Sequence, residues 1–203
     1  MKSRHTLWVI LLSAALLAAC GKSAQVSPLA SDDVVLAFGD SLTFGTGASP
    51  GESYPAQLQT LIGRKVVNAG VPGEISSDGL QRLPEVLEEV KPKLLILCHG
   101  GNDLLRKLGE AQVAANVRAM IRAAKDKGID VVLIATPKPG LSISPPDFYA
   151  EIAKEFRLPY EDTALKTIMR DSEFKSDIAH PNARGYAKLA EAIATLLKKS
   201  GAV

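Results

Sequence analysis

Aromatic residues make up only 5% of this 203-residue chain, and it holds three histidines, two cysteines and one tryptophan. So few rings exclude a stacking platform for nucleic-acid bases. No cluster of His, Cys or carboxylate residues has metal-ligand spacing, so no metal and no other cofactor is expected. The chain also lacks an internal repeat, and its length fits one domain. Its longest apolar run, residues 7–19, falls short of the roughly 20 residues that a permanent membrane helix needs. What is present is ordinary for a globular protein with a sizeable core: 46% hydrophobic and 23% charged residues.

The N-terminus stands apart from the rest. Lys2 and Arg4 precede the apolar run and small residues close it, the layout of a secretory signal over residues 1–19. A buried core helix is the alternative, but core helices rarely lack a polar face. The closing residues Leu17-Ala18-Ala19-Cys20 resemble the lipobox of bacterial lipoproteins. That resemblance implies lipidation of Cys20, a membrane partner through the lipid, a lipidated tether over residues 20–32, and a domain over residues 33–203. It also implies export to the cell envelope on the periplasmic side. Gly21, where aspartate would signal inner-membrane retention, points to the outer membrane of a Gram-negative host. Of the 24 basic side chains, Lys2 and Arg4 leave with the leader, so 22 face 22 acidic ones and no nucleic-acid partner is implied. With Cys20 lipidated, Cys98 has no disulfide partner. Its place in the apolar run Leu94-Leu95-Ile96-Leu97 favours an inert core residue over a nucleophile.

Along the domain, short apolar runs at 34–38, 66–69, 94–98 and 131–135 are continuous rather than alternating, as in strands buried on both faces. Between them lie helical stripes. One comprises Leu80, Leu83, Val86, Leu87 and Val90, and another Val113, Val117, Met120, Ile121 and Ala124. A third, Tyr186, Leu189, Ala190, Ile193 and Leu197, ends at Lys198-Lys199, where positive charge suits a helix C-terminus. A weaker helix covers 52–62, and residues 137–147 read as a loop. Alternating strands and helices predict an α/β fold, a three-layer α/β/α sandwich with a parallel sheet of about five strands. Residues 157–163 leave room for a fifth strand, which Pro159 keeps short.

Open α/β sheets bind ligands at the carboxyl ends of their strands. There the chain places Gly39-Asp40-Ser41-Leu42, then Val71-Pro72-Gly73, then Gly100-Gly101-Asn102-Asp103. Asp177-Ile178-Ala179-His180-Pro181 stands before the last helix. A serine is a nucleophile when a base takes its proton, and among the histidines His180 is the candidate. His5 lies in the leader, and His99 reads as a structural residue hydrogen-bonded near the site. Asp177 is three residues before His180. It reads either as the carboxylate that orients the imidazole or as a cap for the last helix. Asp40 and Asp103 read as braces for loops rather than proton carriers.

These blocks, in this order, resemble the SGNH (GDSL) hydrolase family over nearly the whole domain. Gly39-Asp40-Ser41-Leu42 matches its nucleophile block, Gly73 its oxyanion glycine, Gly100-x-Asn102-Asp103 its GxND block and Asp177-x-x-His180 its DxxH block. The resemblance implies flavodoxin-like strand order, a triad of Ser41, Asp177 and His180, and an oxyanion hole from Ser41, Gly73 and Asn102. It is closest in form to the thioesterase/lysophospholipase and arylesterase group, which implies a small-molecule or lipid ester as substrate. Residues 136–148 are placed to line an acyl pocket through Leu141, Ile143 and Phe148, or to form an ordinary surface loop. Carbohydrate O-acetyl esterase activity is the alternative, and a non-catalytic lipid-binding lipoprotein the third reading.

Overall fold

The computed structural model describes residues 24–138, residue 140 and residues 143–203. The leader, Cys20 and Leu141 lie outside the described residues. Five parallel strands, β1 (Val34–Gly39), β2 (Lys65–Gly70), β3 (Leu94–Cys98), β4 (Asp130–Ile134) and β5 (Tyr160–Glu161), form one sheet in the order β2-β1-β3-β4-β5. The described helices are α1 (Ser41–Phe44), α2 (Tyr54–Ile62), α3 (Ser76–Val90), α4 (Gly101–Leu105), α5 (Glu110–Lys125), α6 (Asp147–Phe156), α7 (Ala164–Arg170) and α8 (Ala183–Lys199).

Successive side chains of a strand point to opposite faces, and here both faces are covered. Val35, Ala37, Ile96 and Val132 pack with Leu58 of α2 and with Tyr186, Leu189 and Ile193 of α8. Their neighbours Leu36, Phe38, Leu97 and Leu133 pack on the other side with Leu83 of α3, Val117 and Ile121 of α5, and Ile152 of α6. This is why the central runs are continuously apolar. The edge strand β2 is only partly buried and carries Lys65 and Asn68 on its exposed positions.

The fifth strand is two residues long and follows Pro159, which lacks an N–H for the ladder but whose carbonyl accepts from Leu133 N–H at 3.0 Å. Helices α6 and α7 go beyond the sequence reading. Helix α6 begins directly after Pro146 and buries Phe148, Tyr149, Ile152 and Ala153; α7 spans only seven residues and buries Leu165, Ile168 and Met169. Neither is long enough to print a full stripe. Phe148, read from the sequence as lining an acyl pocket or lying in a surface loop, is instead a core residue of α6, its ring tilted by 33° against that of Tyr149 with centroids 4.2 Å apart.

Of the stretch read as a tether, residues 24–30 lie along the edge where the strands begin. Val26 N–H donates to Ser200 O at 3.1 Å, Leu29 N–H to Ala202 O at 2.8 Å, and Ser27 N–H to Asp130 Oδ2 at 2.7 Å. Val26 and Leu29 are buried against the α2–α8 layer. No helix among the described residues is long and apolar enough to cross a membrane.

Candidate active site

In the order β2-β1-β3 the chain leaves β1 to one side and returns on the other, so a crevice opens at the carboxyl ends of β1 and β3. Ser41 enters it from β1. Gly39 packs so tightly on β3 that a Cβ there would lie 2.0 Å from Cys98 O. The chain then turns at once into α1, and the Asp40 carboxylate caps that turn by accepting Leu42 N–H at 3.0 Å. Burial pushes the Asp40 carboxyl up, while the nearby imidazoles and the Leu42 N–H oppose the rise. Asp40 is thus a brace that presents Ser41 at the first position of α1.

Asp177 and His180 arrive on the loop before α8. Asp177 Oδ1 accepts the N–H groups of Ala179 at 2.7 Å and His180 at 2.9 Å, closing a turn that fixes the ring relative to its carboxylate. Asp177 Oδ2 lies 2.8 Å from His180 Nδ1, and His180 Nε2 lies 3.0 Å from Ser41 Oγ. With Nδ1–H directed at the carboxylate, Nε2 is left as the acceptor for the serine proton. Partial burial works to raise the Asp177 carboxyl, but hydrogen bonds from the His180 ring and the two N–H groups hold it below its ordinary range. Asp177 does not cap α8. That role belongs to Asn182, whose side chain accepts Gly185 N–H at 3.1 Å.

On the opposite side, Asn102 sits at the start of α4 and Gly73 in the loop after β2. Gly73 has φ +79°, a conformation that L side chains rarely adopt. Arg106 holds the Gly73 carbonyl at 3.0 Å. The N–H groups of Ser41 and Gly73 have no acceptor among the described residues. Asn102 Nδ2 donates to Glu74 O at 3.0 Å, and the geminal N–H remains for another acceptor. Ser41, Asn102 and His180 line one cavity of about 340 Å³; Gly73 is outside that lining and is tied to Asn102 through Glu74. The cavity is otherwise largely apolar, with Leu42, Leu105, Ile143, Met169 and Ile178 around it.

Sequence reasoning missed Glu74 and Arg82. The buried Glu74 carboxylate takes a bidentate pair from Arg82, both at 2.7 Å, and a hydrogen bond from His99 Nε2 at 3.0 Å. Burial acts to raise this carboxyl, but Arg82 and His99 hold it down at about 2. Arg82 also lies over Phe38, 4.2 Å from the ring centroid. His99 is fully buried and accepts Gly100 N–H at Nδ1 at 2.9 Å, which fixes the Nε2–H tautomer. Gly79 makes room for that ring, since a Cβ there would fall 2.3 Å from His99 Nε2. The network joins the loop carrying Gly73 to the loop carrying Asn102. Its only trace in sequence is the position of Glu74 directly after Gly73.

Asp103 faces away from the cavity and accepts Ser76 N–H at 2.8 Å and Ser76 Oγ–H at 2.7 Å, pinning α4 to the start of α3. Cys98 is buried, and burial pushes its thiol well up, as for an inert core residue. No group of His, Cys, Asp and Glu among the described residues is arranged to hold a metal ion.

A parallel α/β sandwich with a serine, an imidazole and a carboxylate in hydrogen-bond sequence at its strand ends has the layout of a serine hydrolase. The chain belongs to the GDSL-like lipase/acylhydrolase family, whose model matches residues 37–188. It is 33% identical to esterase TesA of Pseudomonas aeruginosa over 63% of this chain and 66% of that protein. Its identity to thioesterase 1/protease 1/lysophospholipase L1 of Escherichia coli K12 is 29%, over 75% of this chain and 77% of that one. A crystal structure of TesA superimposes with TM-score 0.73 at 27% identity, covering 82% of this chain and 98% of that one. The chain is accordingly a serine hydrolase of ester bonds.

Proposed function

We propose that this protein hydrolyses acyl esters and thioesters through an acyl-enzyme on Ser41, with His180 as base, Asp177 as its orienting carboxylate, and Ser41, Gly73 and Asn102 as the oxyanion hole. The observation that carries this reading is the continuous relay from Asp177 Oδ2 through His180 to Ser41 Oγ, with contacts of 2.8 and 3.0 Å. As Ser41 Oγ attacks the acyl carbonyl, its proton passes to His180 Nε2 and the carbonyl oxygen becomes an oxyanion. The imidazolium is stabilised by Asp177 and returns the proton to the departing alcohol or thiol. Water then attacks the Ser41 acyl ester with His180 again as base, releasing the acid and restoring Ser41. Each oxyanion donor contributes about 3–4 kcal/mol to such a barrier.

The apolar cavity beside Ser41 suits an acyl chain longer than acetyl, as in lysophospholipids or aryl esters of medium-chain acids. The names of the P. aeruginosa and E. coli relatives agree with this substrate class. We further propose that residues 1–19 are a signal peptide and that Cys20 is lipidated. The protein is then an envelope lipoprotein with residues 20–32 between the anchor and a catalytic domain over residues 33–203, residues 24–30 of that stretch packing on the domain, on the periplasmic side of the outer membrane in a Gram-negative host. The test is hydrolysis of p-nitrophenyl esters from acetyl to palmitoyl beside a Ser41→Ala control. A medium- or long-chain optimum that disappears with Ser41→Ala is expected. An acetyl-only profile replaces this reading with glycan deacetylation, and no hydrolysis across the series removes it.

A further inference from the structure

In a parallel α/β sandwich all strands start at one pole and all long helices end there. The catalytic residues follow strand carboxyl ends, so they occupy the opposite pole. Two independent features mark the pole of the strand starts. The first is the N-terminal segment. Val26 and Leu29 are buried in the core layer, and backbone bonds to Ser200 and Ala202 fasten them there. Arg64 adds bonds of 3.3 and 3.2 Å to Leu29 O. The chain toward Cys20 therefore leaves the domain at this pole.

The second feature is charge. Lys65 opens β2, Lys93 precedes β3, Lys91 follows α3, Lys125 ends α5, and Lys198 and Lys199 end α8; all six are exposed. Of the acidic groups on the same pole, Glu88 is paired with Lys127 and Glu155 with Arg118, while Asp33 and Asp130 accept the N–H groups of Ala30 and Ser27 but keep their charge. With Asp32, Glu89 and Asp126, these last two make five described carboxylates outside any ion pair, against seven exposed cations, the six lysines and Arg157 after α6. A domain with balanced charge overall thus collects cations where its chain emerges.

From these two features, and resting on the reading of Cys20 as the lipid anchor, we infer that the strand-start pole is a docking face for the anionic headgroups of the anchoring membrane, which turns the catalytic cavity away from that membrane. Reach supports this. From Cys20 to Ala24 the chain spans at most about 14 Å, whereas β1 alone, Val34–Gly39, rises about 17 Å between the poles. With residues 24–30 fastened to the core, a domain standing on its strand-start pole keeps the cavity mouth beyond the reach of the anchor. Each lysine near an anionic surface adds about tenfold or less to the attraction, and salt screens it. The substrate then comes from the aqueous side, as a soluble ester or one carried on another surface, and not from the leaflet that holds the anchor.

Full-length protein, processed and lipidated in cells, is reconstituted into vesicles containing phosphatidylglycerol and a nickel-chelating headgroup lipid. Nitroxides are placed at Lys93→Cys or Leu108→Cys, which bracket β3 and the loop beyond it. Cys98 is buried, so the introduced thiol is the one labelled. Circular dichroism confirms that each variant is folded. Relaxation by nickel several-fold stronger at position 93 than at position 108, weakened by high salt or by phosphatidylcholine in place of phosphatidylglycerol, is the expected result. Equal relaxation at both positions, or stronger relaxation at 108, overturns the orientation while the anchor stands. Mass spectrometry showing no lipid on Cys20 removes the anchor reading, and the orientation falls with it.

Discussion

Two carboxylate–histidine pairs lie at the same end of this sheet, and the fold uses them in opposite ways. Asp177–His180 sits on an exposed loop, with the carboxylate side chain 51% and the imidazole 22% accessible. Glu74–His99 is buried, at 6% and 0%. The chemistry of the pairs is alike, with contacts of 2.8 and 3.0 Å. What differs is the second ring nitrogen. In His99 it accepts the N–H of Gly100, so both nitrogens are committed to backbone and carboxylate. In His180 it meets the hydroxyl of Ser41. A histidine with both nitrogens satisfied by the fold holds loops together, and one with a nitrogen turned toward a nucleophile can move a proton.

That contrast ranks the variants. Ser41→Ala removes the group that His180 serves, and kcat is expected to fall by about 10⁴-fold or more with little change in stability. Steady-state hydrolysis of an aryl ester and a melting curve check both halves. Asp177→Asn frees the ring to adopt the wrong tautomer; the loss is on the order of 10²–10⁴-fold in kcat. Because hydrogen bonds hold Asp177 below the ordinary carboxylate range, its carboxylate stays ionised through that range, and a wild-type pH–rate profile should show no loss of activity there from protonation of Asp177.

The buried pair responds on another axis. Glu74→Gln loosens the loops that carry Gly73 and Asn102; on the proposed reading of these two as oxyanion donors, which act on the transition state, kcat is expected to drop about tenfold while KM stays nearly constant. A carboxyl held at about 2 instead of 4.5 contributes about 3 kcal/mol at neutral pH. That contribution is complete above about pH 4.5 and is lost as pH falls toward 2. Wild-type stability should therefore decline across this window, and Glu74→Gln should be flatter there; denaturant titrations at several pH values decide it. His99→Gln has the smallest effect on turnover, below about tenfold, and costs about 1–3 kcal/mol of stability by weakening one buried bond to Glu74. If His99→Gln instead matched Asp177→Asn in kcat, the division between the two pairs would collapse.

The exposed pair was legible in the sequence and the buried one was not, for a physical reason. Asp177 and His180 are joined by a local turn, so their spacing of three residues is itself the signal. Glu74, Arg82 and His99 meet through tertiary packing, 8 and 25 residues apart, and no periodicity announces such a meeting. The same rule divides the fold. Strands β1, β3 and β4, continuous because both faces are covered, stand out, as do the long stripes of α3, α5 and α8. Helices α6 and α7 are too short to do so, and Phe148 went to the wrong environment as a result. Val26 and Leu29 look like an unremarkable pair in a polar stretch; only the contact with the end of α8 reveals their burial.

In the proposed mechanism Ser41 carries the acyl group. The most direct measurement is to mix the enzyme with a p-nitrophenyl ester, quench in acid during turnover, digest, and locate the acyl mass by tandem mass spectrometry. One acylated peptide, modified at Ser41, is expected, abundant in the wild type and absent from Ser41→Ala. Acyl on a different residue, or turnover that persists undiminished in Ser41→Ala, would contradict it.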